Sequence, residues 1–151
     1  MREGQKHKEF LGQICAFLKE YAQDKGYQIH SEYKIPWPEI EETLWRKADI
    51  MIEAPTRTFF IEVDIDSDPC YSIVKYWPYL EEVFQKQPDA KITLIEIWKR
   101  GGTCGKGYFE LAKFIGKKLE EMFQGFSCIL VEISSETPED IARQIISIIE
   151  K

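Results

Sequence analysis

The chain has 151 residues, 44% of them hydrophobic and 30% charged, enough apolar material for one soluble domain with a buried core. Its 26 acidic residues outweigh 20 basic ones for a net charge of −6, which argues against a broad non-specific nucleic-acid footprint but leaves room for a local basic rim. No apolar run approaches the ~20 residues of a membrane helix. The polar start Met1 to Lys8 leads into no signal-peptide core, so a cytoplasmic protein with no membrane partner is expected. Cys15, Cys70, Cys104 and Cys128 are scattered without a CxxC pair. With only His7 and His30 as histidines, a structural zinc site is not expected; the cysteines read as ordinary thiols, three of them buried.

Residues 8–24 carry Phe10, Leu11, Ile14, Cys15, Phe17, Leu18 and Tyr21 at helical spacing, and Gly26 follows as a stop. Residues 27–35 alternate as a first strand that Pro36-Trp37-Pro38 ends, because two prolines cannot sustain ladder hydrogen bonds. Residues 39–46 form a connection. Arg46 and Lys47, just before Asp49, are candidates to face a phosphate.

Two further strands follow, residues 48–53 and 59–65, joined by the turn Ala54-Pro55-Thr56-Arg57-Thr58 as a hairpin. In the second, Glu62, Asp64 and Asp66 alternate with Ile61, Val63 and Ile65, which predicts a row of three carboxylates on one face, with Asp49 beside it across the hairpin. Carboxylates packed this closely repel one another unless a cation or a proton neutralises them. Such oxygen-rich sites suit Mg²⁺ or Mn²⁺. Asp64, Asp66 and Asp68 begin like an EF-hand loop, but the positions that require Gly and Glu hold Pro69 and Lys75.

Asp68-Pro69 instead opens a helix over 69–87, where Pro78 predicts a kink or two shorter helices. Residues 91–98 form a fourth strand. The loop 100–107 is glycine-rich but lacks the first Gly and the final Ser or Thr of a P-loop; Arg100 and Lys106 on it are able to reach a phosphate backbone. A helix over 108–123, a strand over 126–133 and a closing helix after Ser135–Asp140 complete the chain. Three strands in succession ahead of the βαβ portion predict a three-layer α/β fold with a mixed central sheet rather than a doubly wound one.

Asp49 on one strand, followed on the next by Glu62-Val63-Asp64, resembles the PD-(D/E)XK nuclease superfamily, with Ala48 in place of the proline and Asp64 in place of the lysine. Some branches carry the lysine on the following helix, where Lys75 stands. The resemblance spans roughly residues 8–98. It implies a single domain with a restriction-endonuclease-like αβββαβ core and a metal-dependent nuclease hydrolysing phosphodiester bonds. Asp49, Glu62 and Asp64 would hold Mg²⁺ or Mn²⁺, and Lys75 would join them in catalysis. Arg46, Lys47, Arg100 and Lys106 would contact nucleic acid, DNA ahead of RNA, and a homodimer is compatible with the family. Some relatives add a first-helix Glu to the metal site; Glu9 is that candidate here.

The rival reading is a catalytically decayed domain that keeps the fold as a binding or assembly module, with Trp37, Trp45 or Trp98 facing a protein partner. The position of Lys75 separates the two: an ammonium within reach of Asp49 and Glu62 favours the enzyme, and one in solvent favours the module.

Overall fold

The structure is a computed structural model that describes residues 3–36, 47–102 and 104–151. A five-stranded mixed sheet in the order β1-β2-β3-β4-β5 is flanked by helices. The elements run α1 (Glu3–Lys25), β1 (Gln28–Lys34), β2 (Lys47–Glu53), β3 (Thr58–Ile65), α2 (Pro69–Val74), α3 (Trp77–Lys86), β4 (Ile92–Lys99), α4 (Lys106–Met122), β5 (Phe126–Ile133) and α5 (Pro138–Ile149). Pairings β1–β2 and β2–β3 are antiparallel, whereas β3–β4 and β4–β5 are parallel. The expected hairpin is present, and the helix containing Pro78 is two helices, α2 and α3.

Strand composition follows coverage. Every residue of β4 from Ile92 to Trp98 is buried, because helices cover both faces, and its sequence is accordingly an almost unbroken apolar run. On one face Ile14 and Leu18 of α1 and Ile141 and Ile145 of α5 pack on Ile50, Ile52, Ile61, Val63, Ile95 and Ile97. On the other, Ile73, Leu80, Ala112 and Leu119 pack on Met51, Phe60, Ile92 and Leu94. The odd–even alternation of β3 therefore sends Ile61 and Val63 to the α1 face, and Phe60, Glu62 and Asp64 to the α2 face.

Local chemistry sets the helix ends near the site. Asp68 caps α2 by accepting the Cys70 N–H at 2.8 Å, with Pro69 at the first helical position, where its missing N–H costs nothing. Thr137 and Asp140 cap α5 reciprocally. The cysteines are all thiols; Cys15 and Cys70 are buried and Cys104 and Cys128 half-buried, two fully buried rather than three. Trp98 is wholly buried, stacked on Phe109 with ring centroids 4.9 Å apart, and its indole N–H donates to the Ser67 carbonyl. It is core and not a partner-facing residue. Trp37, Trp45 and Arg46 lie outside the described residues. Among the described residues no helix is long and apolar enough to cross a membrane.

Candidate functional site

The site forms where β2 and β3 part company. The ladder pairs Ile50 with Ile61, and beyond it carboxylates take over from backbone pairing. Asp49 N–H donates to Glu62 Oε2 at 3.2 Å, and Val63 N–H donates to Asp49 Oδ2 at 2.9 Å. The backbone groups freed by the splayed strands are thus satisfied by the two acids, and in return the acids are fixed in direction.

Helix α2 closes the site from above. Ser72 and Lys75 are three residues apart, so they project from one side of the helix. The Ser72 hydroxyl donates to Asp64 Oδ2 at 2.5 Å and the Ser67 hydroxyl to Asp64 Oδ1 at 2.8 Å. The Lys75 ammonium is buried; it contacts Glu62 Oε1 and donates to the Lys47 carbonyl at 2.7 Å. Tyr76, fully buried, donates its hydroxyl to the same Glu62 oxygen at 3.0 Å. Asp49, Glu62, Asp64, Lys75 and the backbone of Lys47 meet at one open cavity of about 440 Å³, lined also by His7, Ser67, Asp68, Tyr71 and Ser72.

Burial dominates the electrostatics. It pushes the Glu62 carboxyl up to about 8, against the pull of the Lys75 charge. Asp49 is raised too, by burial, with the Val63 N–H and Lys75 opposing. Glu96 stands opposite Glu62 in the β3–β4 register, and it is completely buried. Among the described residues its oxygens meet no donor, and the Asp64 carboxylate beside them can be hydrogen-bonded to them only when Glu96 carries the proton. Burial, reinforced by Asp64 and Glu62, holds its pKa well above the usual carboxylate range. Glu96 is therefore an acid whose protonated form is favoured by its surroundings, set behind Glu62.

Four expected residues, Asp49, Glu62, Asp64 and Lys75, come together as the alternation and helix spacing required. Asp66 leaves the row: β3 ends at Ile65, and Asp66 takes a left-handed backbone (φ 52°) that turns it towards the loop after β4, where it accepts the Cys104 N–H at 3.4 Å. Glu9 is exposed on α1, and His7 of that helix lines the cavity. Arg100 and Lys106 are exposed beyond β4 and at the start of α4, outside the lining of the acidic cavity. Tyr79 of α3 packs its ring on Phe60 of β3, and Tyr76, one turn earlier, reaches the acids. Glu96 had a legible signal, a lone acid inside the apolar run Ile92–Trp98, whereas nothing in the sequence marks His7.

The carboxylates of the cavity are hard oxygen donors. Mg²⁺ typically takes one or two protein carboxylates and completes its shell with water and substrate phosphate, which fits Asp49 and Glu62 in an open cavity. Among the described residues no group of three His, Cys, Asp or Glu side chains is placed to enclose a metal ion. Compared with protein-family models, with curated proteins and with solved structures, the chain has no match.

Proposed function

We propose that this chain is a metal-dependent phosphodiesterase acting on nucleic acid, built on a restriction-endonuclease-like core of the PD-(D/E)XK type, with the lysine moved to α2. The observation that carries the reading is the buried Lys75 ammonium in contact with Glu62, in the cavity it shares with Asp49. A lysine that served only as a solvated helix residue would gain nothing from such burial, since removing an ammonium from water is costly unless it is paired. The element order from α1 to β4, with three strands before the first crossover, supports the fold assignment.

Asp49 and Glu62 would hold Mg²⁺ or Mn²⁺, and Asp64 borders them on the serine side. When bound, such a cation lowers the pKa of a coordinated water and neutralises charge on the scissile phosphate. Tyr76 and the Asp49 N–H fix the two oxygens of Glu62, and Val63 fixes Asp49, so these acids need no reorganisation on binding. Lys75 brings positive charge to where the pentavalent phosphorus gains negative charge, and the Lys47 carbonyl holds it in place.

Calorimetric titration with Mn²⁺ and Mg²⁺, comparing the wild type with Asp49→Asn, tests the reading before any substrate is chosen. Binding at millimolar concentration or tighter, lost in the variant, is expected, together with metal-dependent cleavage of DNA or RNA oligonucleotides. A wild type that neither binds metal nor cleaves either polymer would overturn it.

A further inference from the structure

A second cavity, of about 320 Å³, adjoins the acidic one and shares His7 with it. Lys6, His7 and Phe10 reach it from α1, Ile65 and Asp66 from the end of β3, and Lys99 from the end of β4. Asp64 faces α2 while Ile65 packs on the α1 side, so the two cavities flank opposite faces of one strand end. His7 borders both.

The charges in this second cavity are of the opposite kind. Among the described residues neither Lys6 nor Lys99 takes part in an ion pair. Asp66, the one carboxylate in the lining among the described residues, is turned to the loop after β4. It accepts the Cys104 N–H and lies so close to Gly101 that a methyl group there would overlap its side chain. Phe10 packs partly on the core and gives the cavity an apolar wall. Two unpaired ammonium groups and an aromatic face beside an acidic centre suit a phosphate with its attached base, by charge and by stacking respectively.

We propose that this cavity holds the stretch of nucleic acid next to the scissile bond, with Lys6 and Lys99 each on a flanking phosphate, Phe10 against the adjacent base and His7 at the junction. The inference rests on the phosphodiesterase reading of the acidic site and names its substrate class. A chain that occupies both cavities must bend over the tip of β3. A single strand does this readily, whereas bending a duplex by roughly 40–90° costs elastic free energy that weakens its binding. The cavities therefore favour a single-stranded segment or a frayed end over an intact duplex.

The test is fluorescence anisotropy with a labelled twelve-nucleotide single strand and the matching blunt duplex, in Ca²⁺, across a salt series. The wild type is compared with Lys6→Glu/Lys99→Glu, with the milder Lys6→Gln/Lys99→Gln, and with Lys91→Glu/Lys117→Glu. The last pair carries the same charge change, with Lys91 at the opposite end of β4 and Lys117 exposed on α4. The expected result is a single strand bound about tenfold tighter than the duplex. Loss of two phosphate contacts should weaken single-strand binding about tenfold in Lys6→Glu/Lys99→Glu and flatten its log–log salt slope by about 1.4. The glutamine pair should show a smaller loss, and the remote pair little change.

Folded Lys6 and Lys99 variants that bind the single strand as the wild type does would overturn the second cavity alone. So would an equal loss in the remote pair, or a wild-type preference for duplex. A wild type that binds neither polymer, at any salt, would overturn the nucleic-acid reading and this proposal with it.

Discussion

Asp49 and Glu62 are joined through the backbone as well as by their position: the N–H of Asp49 donates to the Glu62 carboxylate, and the Asp49 carboxylate accepts the N–H of Val63, the residue after Glu62. Each acid therefore does structural work where β2 and β3 separate. Replacing Asp49 with Ala leaves the buried Val63 N–H without its acceptor, at a cost of about 1–3 kcal/mol. Asp49→Asn keeps an acceptor oxygen and should lose less than half of that, while losing metal binding as fully as the Ala variant. Urea denaturation beside calorimetry separates the two effects.

The Lys75–Glu62 pair is buried on both sides. Removing Lys75 leaves Glu62 without its cation, and this carboxyl, already pushed up to about 8, takes up a proton instead; Lys75→Met is expected to destabilise the fold by about 1–3 kcal/mol. Adding Glu62→Gln should recover much of that loss, because the neutral amide no longer needs a cation. A double-mutant cycle by chemical denaturation gives the coupling; simple additivity would count against a direct pair.

Glu96 supplies the pH dependence. Its carboxyl is raised by burial in the folded protein, so between its ordinary value of 4.5 and that raised value the native state binds more protons than the unfolded chain. Stability then falls as pH rises through this window, by at most about 1.4 kcal/mol per pH unit for this group. Glu96→Gln has no proton to lose. Its melting temperature should match the wild type near pH 4 and exceed it increasingly towards pH 8. Glu62 shifts in the same direction and is present in both proteins, so its own contribution cancels apart from its Coulombic coupling to Glu96.

Gly101 is held to glycine by proximity. A Cβ there would lie 1.9 Å from Asp66 Cγ and 2.1 Å from its Cβ, too near for a side-chain rotation to relieve. Gly101→Ala should therefore cost about 1–3 kcal/mol through displacement of one loop. Adding Asp66→Gly removes the obstructing atoms and also relaxes the left-handed backbone at that position, so the pair should be more stable than Gly101→Ala alone. Thermal melts of the two variants check this.

The sequence by itself determined the periodicities and their consequences. The alternation of β3 set Glu62 and Asp64 on one face, Asp68-Pro69 started a helix, Pro78 divided it, and three-residue spacing put Ser72 and Lys75 on one side. These are local rules of backbone geometry, readable without knowing what lies opposite. The tertiary structure alone decided which face of α2 looked inward, and hence that Lys75 meets Glu62 rather than water. It placed Glu96 behind the acids through the parallel register of β3 and β4, a pairing between segments more than thirty residues apart. It also turned Asp66 out of the row by a single left-handed residue and brought His7 of α1 to the cavity. Each of these depends on long-range packing, because an isolated strand or helix carries no information about its neighbour's register or the face on which a distant element will dock.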